Sequence, residues 1–345
     1  MTESAAGTAT PGLDPDAVGV RLAELFDEPR WRDLRAELIA GGRSNLTYRL
    51  ISPAGSVVLR RPPTGHVLPK AHDMGREARI QQALYPTGVP VPKVHTLEGP
   101  ELLGAAYYVM EDVPGLVIND TLPEAYDDPD SRRAIGLGLI DTLIALHQVD
   151  PDRVGLSDYG RPEGFLERQV RTWSKQWELS KTEEVPELDR LRDLLSDGVP
   201  QAQRNGIVHG DFKLNNVLIS PDDPGRVNAV LDWELSTLGD PLADLGMLML
   251  YWTDPGDQVV PISAVTAAEG FPDRAELAQR YAGGTGLDLS DLDFYTAYAY
   301  FKFAVIVQGV VMRSRGGAMG DQDFSDFDQL VAKCAVAGLE IFEDN

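Results

Sequence analysis

The segment from Ile207 to Ile219 combines residue types that could carry out phosphoryl transfer. An apolar pair leads into a polar turn that contains Asp211 and Asn216, and an apolar strand leads out of the turn. Asp232 follows 16 residues after Asn216, at the end of a second apolar strand. Two carboxylates and an amide at strand edges suit a Mg²⁺ ion that keeps several waters and binds a substrate's phosphate oxygens. Phosphoryl transfer needs such a metal and one group that orients the attacking oxygen.

The N-terminal third contains residues that a nucleotide site could use. A predicted hairpin turn could present backbone N–H groups to phosphates, and its residues are Gly42, Arg43, Ser44 and Asn45. Arg60 ends the following strand, and Glu77 lies 17 residues later in a predicted helix. Protein kinases pair a strand lysine with a helix glutamate to hold the α- and β-phosphates of ATP. A guanidinium keeps the charge of that lysine and suits phosphate, so Arg60 is the candidate for its place and Arg61 is the alternative.

Hydrophobic periodicity predicts the elements that position these residues. Apolar residues alternate on both sides of the glycine-containing turn, which predicts a hairpin, and Val57–Arg60 is predicted as a third strand. A linker over residues 89–94 leads into a strand pair that ends at residues 107–110. Two short strands are predicted over 216–219 and 229–231. Helical spacing is found over residues 13–26, 72–84, 135–146, 164–179, 274–282, 293–312 and 327–342.

These elements are unevenly distributed along the chain. Residues 1–12 are small and polar and predict a loose tail. Strands and helices mix over residues 13–113, whereas residues 114–345 are mainly helical. The sequence therefore predicts an α+β protein in two parts, a small N-terminal one and a larger C-terminal one.

Composition limits the class of protein. A formal net charge of −23 at pH 7 would repel a phosphate backbone or an anionic membrane, so we expect no nucleic acid and no membrane as partner. The chain starts without a secretory signal, and its single cysteine, Cys334, fits a reducing compartment, so we expect a cytoplasmic protein. The longest apolar segment, residues 303–312, is too short to span a bilayer and predicts a core helix.

The polar turn also carries a family resemblance. His209-Gly210-Asp211 with Asn216 at its offset, followed by Asp232 at a strand end, resembles the signature of the aminoglycoside phosphotransferase family. The resemblance implies a two-lobed, protein-kinase-like fold, with an antiparallel sheet in the small N-terminal lobe and a mainly helical C-terminal lobe. It implies ATP and Mg²⁺ as cofactors. It further implies that Asp211 is the catalytic base and that Asn216 and Asp232 are metal ligands.

Other positions take roles from the same resemblance. The stretch 107–115 resembles the hinge between two lobes, where Met110 would line the adenine pocket and the Glu111 carbonyl and Val113 N–H would read the adenine ring. His209 is expected to hold the turn by hydrogen bonds rather than to shuttle protons. Asp244 is expected to be structural, as the cap of a helix.

Several stretches are similar to the phosphotransferase domains attached to, or encoded beside, acyl-CoA dehydrogenases. They are residues 41–48, 58–63, 71–77, 231–245 and 301–309, and the similarity covers about residues 34–315. The implied acceptor is a small-molecule hydroxyl on an acyl chain, free or as its CoA thioester, with a functional link to an acyl-CoA dehydrogenase. Lys213 in the turn and Arg313 are the candidate substrate-binding residues, although Arg313 could equally be an ordinary cation near a helix end.

Two alternatives stay open at this point. The first is that acidic loops bind a polycationic aminoglycoside, although the same loops could simply be solvated. Their acidic residues are Glu124, Asp127, Asp128, Asp130, Asp321, Asp323, Asp326 and Asp328. The other alternative is a catalytically silent nucleotide-binding module with a kinase-like fold. The joint presence of Asp211, Asn216 and Asp232 argues against that second alternative.

Overall fold

The structure, a computed structural model, describes residues 10–39, 45–64, 72–258, 261, 263–315 and 325–343. These residues form two compact units. The N-terminal unit contains the described residues up to Pro114 together with Asp232–Glu234. The C-terminal unit contains Gly115–Leu231 and the described residues from Leu235 onward. The predicted hairpin-turn residues Gly42, Arg43 and Ser44 lie outside the described residues.

The N-terminal unit is built on an antiparallel sheet. Its strands are β1 (Arg35–Leu38), β2 (Leu46–Ser52), β3 (Gly55–Arg61), β4 (Val94–Glu98) and β5 (Tyr107–Glu111). Their order in the sheet is β1-β2-β3-β5-β4. Two helices accompany the sheet, α1 (Pro15–Phe26) and α2 (Met74–Leu84), and each begins at an aspartate side chain that accepts a backbone N–H.

Both faces of this sheet are covered, and strand alternation decides which residue faces which helix. In β3, Val57 and Leu59 belong to a core cluster that includes α1, whereas Val58 belongs to a cluster that includes α2. Successive side chains of a strand point to opposite faces. Arg60 is therefore directed to the face that α2 covers, and Arg61 to the face that α1 covers.

The C-terminal unit is mainly helical. Its helices are α3 (Pro129–His147), α4 (Phe165–Ser180), α5 (Pro186–Asp197), α6 (Leu242–Tyr251), α7 (Arg274–Thr285), α8 (Leu292–Arg315) and α9 (Ser325–Glu343). Its short strands are β6 (Gly206–Val208), β7 (Val217–Ile219), β8 (Val227–Val230) and β9 (Thr237–Gly239). They form two antiparallel pairs, β6 with β9 and β7 with β8.

Helix α8 is the core of this unit and packs against α4, α5, α6 and α9. By length and composition it could cross a membrane, but 83% of its most apolar stretch is buried inside the protein. Helix α6 crosses it at close range, because a Cβ added at Gly246 would lie 2.4 Å from the backbone oxygen of Tyr295. The sequence had not predicted α5, β6 or β9, although Leu188, Leu191 and Leu195 recur in α5 at helical spacing.

Candidate active site

A tight turn between β6 and β7 carries the His-Gly-Asp motif. Gly210 has φ of +88°, a conformation that residues with a Cβ seldom adopt. A Cβ at this position would also lie 2.7 Å from the backbone oxygen of Leu235. The turn therefore needs glycine before Asp211 both for its backbone angle and for space.

Asp244 holds this turn from the first turn of α6. Its Oδ2 accepts the His209 N–H at 2.6 Å and its Oδ1 accepts the Gly210 N–H at 2.8 Å. Burial alone would raise the pKa of this carboxyl, but hydrogen bonds from His147 and from Gly210 outweigh burial and lower it. The expectation that Asp244 caps a helix is wrong. The N-cap of α6 is Pro241, and the Asp244 carboxylate accepts N–H groups of the turn instead.

His209 is buried and its two ring nitrogens have different roles. Nδ1 accepts the Asp211 N–H, with 3.3 Å between the two nitrogens. Nε2 lies 2.8 Å from the Leu231 carbonyl oxygen, which can only accept a hydrogen bond. This pattern fits a neutral imidazole with its proton on Nε2. The side chain joins the turn to the end of the β8 segment.

Three donors surround the Asp211 carboxylate. Tyr251 Oη donates to Oδ1 at 3.1 Å, while the Asn216 amide lies 3.1 Å and the Lys213 ammonium 2.8 Å from Oδ2. Lys213 also lies over the Tyr251 ring, with Nζ 4.8 Å from the ring centroid. About a fifth of the Asp211 side chain, 21%, remains exposed. The carboxylate is thus fixed in orientation and still reachable by a substrate hydroxyl.

A small pocket lies beside this carboxylate in the C-terminal unit. Lys213 and Tyr251 line it, and its apolar wall consists of Ile118, Leu214, Leu248, Trp252 and Val265. Asn215 lines the pocket as well, and its buried Oδ1 has no hydrogen-bond partner among the described residues. No described carboxylate lines this pocket. The pocket holds about 30 Å³, and the Asn215 oxygen in its wall is a hydrogen-bond acceptor without a partner among the described residues.

A cluster of charges occupies the N-terminal unit. The Arg60 guanidinium lies 2.8 Å from Glu77, 2.6 Å from Asp232 and 3.7 Å from Glu234. The contact with Glu77 is an ion pair rather than a hydrogen bond, because the Nε–H of Arg60 does not point at the carboxylate oxygen. Asp232 itself has φ of +64°, in the left-handed region that aspartate adopts more readily than most residues other than glycine.

Burial and charge both act on Glu77 in this cluster. Burial raises the pKa of its carboxyl to about 7, with Arg60 opposing the shift and Glu234 and Asp232 adding to it. Tyr108 on β5 donates its hydroxyl to Glu77 at 3.1 Å. Glu77 is therefore a partly protonated carboxyl near neutral pH, with only 2% of its side chain exposed.

Arg61, the alternative to Arg60, bonds to backbone carbonyls and not to Glu77. Its guanidinium donates to the carbonyls of Gly12, Leu103 at 3.2 Å and Pro62 at 3.1 Å. It lies on the face of the sheet that α1 covers, as strand alternation requires. Of the two arginines, Arg60 is the one that joins Glu77.

The cluster has the charge and the donor atoms that Mg²⁺ would need. Three carboxylates face one guanidinium, so two negative charges remain when all three are ionised. Asn45 donates to Glu77 and Glu234, and its buried Oδ1 has no partner among the described residues. The described residues contain no group of three or more His, Cys, Asp or Glu that could hold a metal alone. This fits an ion that takes its other ligands from phosphates and water.

The remaining predicted site residues are placed as follows. Met110 is buried with Val58 and Tyr108 in the cluster beside α2. Glu111 ends β5, where its N–H donates to the Lys93 carbonyl at 2.9 Å, and the Val113 N–H donates to no described residue. Arg313 is exposed in the last turn of α8 and forms no ion pair with a described residue.

Tyr251 is a site residue that the sequence-based prediction missed. It ends α6 seven residues after Asp244, and residues seven apart in a helix lie on the same face. A helix whose first turn holds the His-Gly-Asp turn therefore presents its last residue to Asp211. That spacing was a signal available in the sequence.

The chain is similar to known proteins over most of its length. Residues 35–288 match the family model for the phosphotransferase enzyme family, APH. The chain is 36% identical over 324 residues to human acyl-CoA dehydrogenase family member 11, a match that covers 92% of this chain. The chain spans about two fifths of the length of the acyl-CoA dehydrogenase family member 11 proteins that it matches, 41% in the human case.

Solved structures show the same fold. A crystal structure from Ralstonia eutropha JMP134, provisionally described as an aminoglycoside phosphotransferase, is 36% identical with a TM-score of 0.82, and the match covers 96% of this chain and 98% of that one. Aminoglycoside phosphotransferase APH(4)-Ia, solved with ADP and hygromycin B, is 15% identical with a TM-score of 0.64, covering 95% and 99% of the two chains, and shows the fold alone. The chain belongs to the phosphotransferase enzyme family and has its kinase-like α+β fold. The predicted family and fold class are confirmed.

Proposed function

We propose that this protein transfers the γ-phosphoryl group of ATP to a hydroxyl of a small molecule, with Asp211 as the base. The observation that carries this proposal is the Asp211 carboxylate, which Tyr251, Lys213 and Asn216 hold and which is still 21% exposed. A base that is oriented by fixed donors can accept a hydroxyl proton without reorganising.

Different residues of the chain have different roles in the proposed reaction. Asp211 would accept the hydrogen bond of the acceptor hydroxyl and take its proton as the new O–P bond forms. The bond between the γ-phosphorus and the β,γ-bridging oxygen would break in the same transfer, with ADP as the leaving group. Arg60, kept in place by Glu77, would contact the phosphates, and Asp232 would bind the metal, for which Asn216 is the second predicted ligand. When bound, ATP would supply the γ-phosphoryl group and Mg²⁺ would neutralise the charge that develops on it.

The acceptor class that we favour is a hydroxylated acyl compound, free or as its CoA thioester. The pocket beside Asp211 has an apolar wall and no described carboxylate. The relatives named as acyl-CoA dehydrogenase family members support the same acceptor class, and an acyl-CoA dehydrogenase would be the functional partner.

An aminoglycoside acceptor has less support. Among the acidic residues considered for a polycation, Asp127 pairs with Arg132, Asp328 pairs with Arg315, and Asp128 caps α3. Carboxylates that already have partners offer less to an incoming amine than free ones. The likeness to APH(4)-Ia concerns the fold and leaves the acceptor open.

An acceptor panel tests the proposal. We expect Mg²⁺-dependent ADP release that rises when hydroxyacyl-CoAs are added and does not rise with acyl-CoAs of the same length that lack the hydroxyl. Asp211→Ala should remove most of this turnover while ATP still binds, whereas Asp197→Ala, at an exposed carboxyl, should behave as the wild type. ADP release that responds to aminoglycosides alone would establish the antibiotic kinase instead, and no turnover with any acceptor would indicate a silent nucleotide-binding module.

A further inference from the structure

Lys302 is a buried cation that the proposed reaction does not use. It lies in the middle of α8, within the apolar run from Tyr300 to Val307, and only 7% of it is exposed. Lysine is rarely buried to this degree unless its ammonium has a partner. The partner here is part of the catalytic turn.

The ammonium of Lys302 donates to the Gly210 carbonyl at 2.9 Å. It also lies 5.8 Å from the centroid of the Trp173 ring on α4. A cavity of about 120 Å³ adjoins it, with Gly210, Asp244 and Trp173 in its wall. The cavity leaves room for water to meet the remaining N–H groups of the ammonium.

Gly210 is consequently held on both sides. Asp244 accepts its N–H at 2.8 Å, and Lys302 binds its carbonyl. The Gly210 carbonyl belongs to the same peptide plane as the Asp211 N–H. Fixing that plane fixes the direction in which the Asp211 side chain leaves a turn whose glycine is in the left-handed region.

The charges around Lys302 come from the turn and from α6. Burial lowers the pKa of its ammonium and Lys213 adds to this effect, whereas Asp211 and Asp244 oppose it. The groups that face it from α4 and from its own helix, Trp173 and Tyr298, are uncharged near neutral pH. The two carboxylates thus favour a charged ammonium behind the turn.

We propose that Lys302 is a positioning residue that aims Asp211 by holding the Gly210 carbonyl. The expected effect on kcat rests on the proposed phosphotransferase function, whereas the hydrogen bond by which Lys302 holds the turn does not. The Lys302 side chain touches neither substrate nor nucleotide in this role, so its loss should lower kcat and leave the KM for ATP unchanged.

Three substitutions separate the hydrogen bond from the charge. Lys302→Met removes both, Lys302→Gln keeps an N–H donor without charge, and Lys302→Arg keeps both, with the adjoining cavity to take the larger head group. Gln308→Met is the matched control, because Gln308 is also buried in α8 and donates to a backbone carbonyl, that of Ser180, away from the turn.

Two readouts follow for each purified variant: steady-state kinetics, and hydrogen exchange of the His209 and Gly210 amides. For Lys302→Met we expect kcat to fall about tenfold or more and both amides to exchange at least about tenfold faster, with Lys302→Arg close to wild type. Gln308→Met should leave both readouts unchanged even if it is less stable. Unchanged exchange in Lys302→Met, or equal losses in Gln308→Met, would overturn the positioning role. Faster exchange in a protein without any turnover would support the hold on the turn and refute the proposed function.

Discussion

Asp211 has an environment that fixes its orientation without burying it. Its two oxygens meet a phenol, an amide and an ammonium, and a fifth of the side chain stays exposed. At the scale of single residues, the hydrogen-bond partners of a carboxylate determine both where it points and how readily it accepts a proton. The Tyr251 hydroxyl is the partner that can be removed with the least change in shape.

Tyr251→Phe should lower kcat several-fold, because it removes the phenol that donates to Asp211 Oδ1 and leaves the proposed base less firmly oriented. The KM for ATP should stay unchanged, because Tyr251 has no part in nucleotide binding in this proposal. Steady-state kinetics of acceptor phosphorylation measure both values. Tyr295→Phe is the control, since it removes another tyrosine hydroxyl bonded to an aspartate, Asp240, elsewhere in the C-terminal unit. An equal fall of kcat in both variants would contradict the assignment.

Glu77 gives the N-terminal unit a defined pH dependence. Folding raises the pKa of its carboxyl from 4.5 to about 7, so the folded state binds this proton more tightly than the unfolded state. The stabilisation is complete below pH 4.5 and is lost as pH rises through 7. We expect the free energy of unfolding of the wild type, relative to Glu77→Gln, to fall by up to about 3 kcal/mol across that range.

Urea denaturation of the nucleotide-free protein at a series of pH values measures this difference. Glu101→Gln, at an exposed carboxyl of the same unit, should give a curve parallel to that of the wild type. If the Glu77→Gln curve were parallel as well, the proton would not reside on Glu77.

At the scale of elements, strand alternation assigns different functions to adjacent arginines. Arg60 faces α2 and its glutamate, whereas Arg61 bonds to backbone carbonyls on the opposite face. We expect Arg60→Met to weaken MgATP binding about tenfold or more, and Arg61→Met to lower stability with little change in MgATP affinity. Nucleotide titration and urea denaturation of both variants separate these effects.

The coupling of Arg60 to Glu77 provides an internal check on that assignment. Because the two side chains act as a pair, Arg60→Met combined with Glu77→Gln should lose less affinity than the sum of the single losses. Strict additivity would show that the two residues act independently on the nucleotide.

The crossing of α6 and α8 depends on a glycine. A Cβ at Gly246 would lie 2.4 Å from the Tyr295 backbone oxygen, so the helices would have to move apart. We expect Gly246→Ala to lower the free energy of unfolding by about 1–3 kcal/mol. Gly283→Ala in α7 is the control, because its added Cβ meets nothing within 4 Å and should stabilise by up to about 1 kcal/mol. Both are read by urea denaturation, and a shift of the same sign in the two variants would contradict this account.

At the scale of the whole molecule, the sequence patterns predicted the elements of the fold more completely than they predicted the contacts between side chains. The apolar periodicity and the predicted glycine-containing turn gave the α+β class and the main elements, because both depend on local chain geometry. The partner of Asp244 could not be predicted in this way, since its hydrogen bonds reach 34 and 35 residues back along the chain. Arg60 and Arg61 could have been distinguished, because alternation along β3 places them on opposite faces.

The three-residue segment Asp232–Glu234 has a consequence for the inheritance of this fold. It belongs to the N-terminal unit, yet Asp232 lies 172 residues beyond the Arg60 that it neutralises. A recombination event with its crossover near codon 114 would exchange Arg60 and leave the Asp232 and Glu234 carboxylates behind. Gene shuffling between relatives therefore preserves the charge balance around Arg60 only where both parents encode acidic residues at positions 232 and 234. The smallest unit that can be exchanged intact in this protein is discontinuous in the gene.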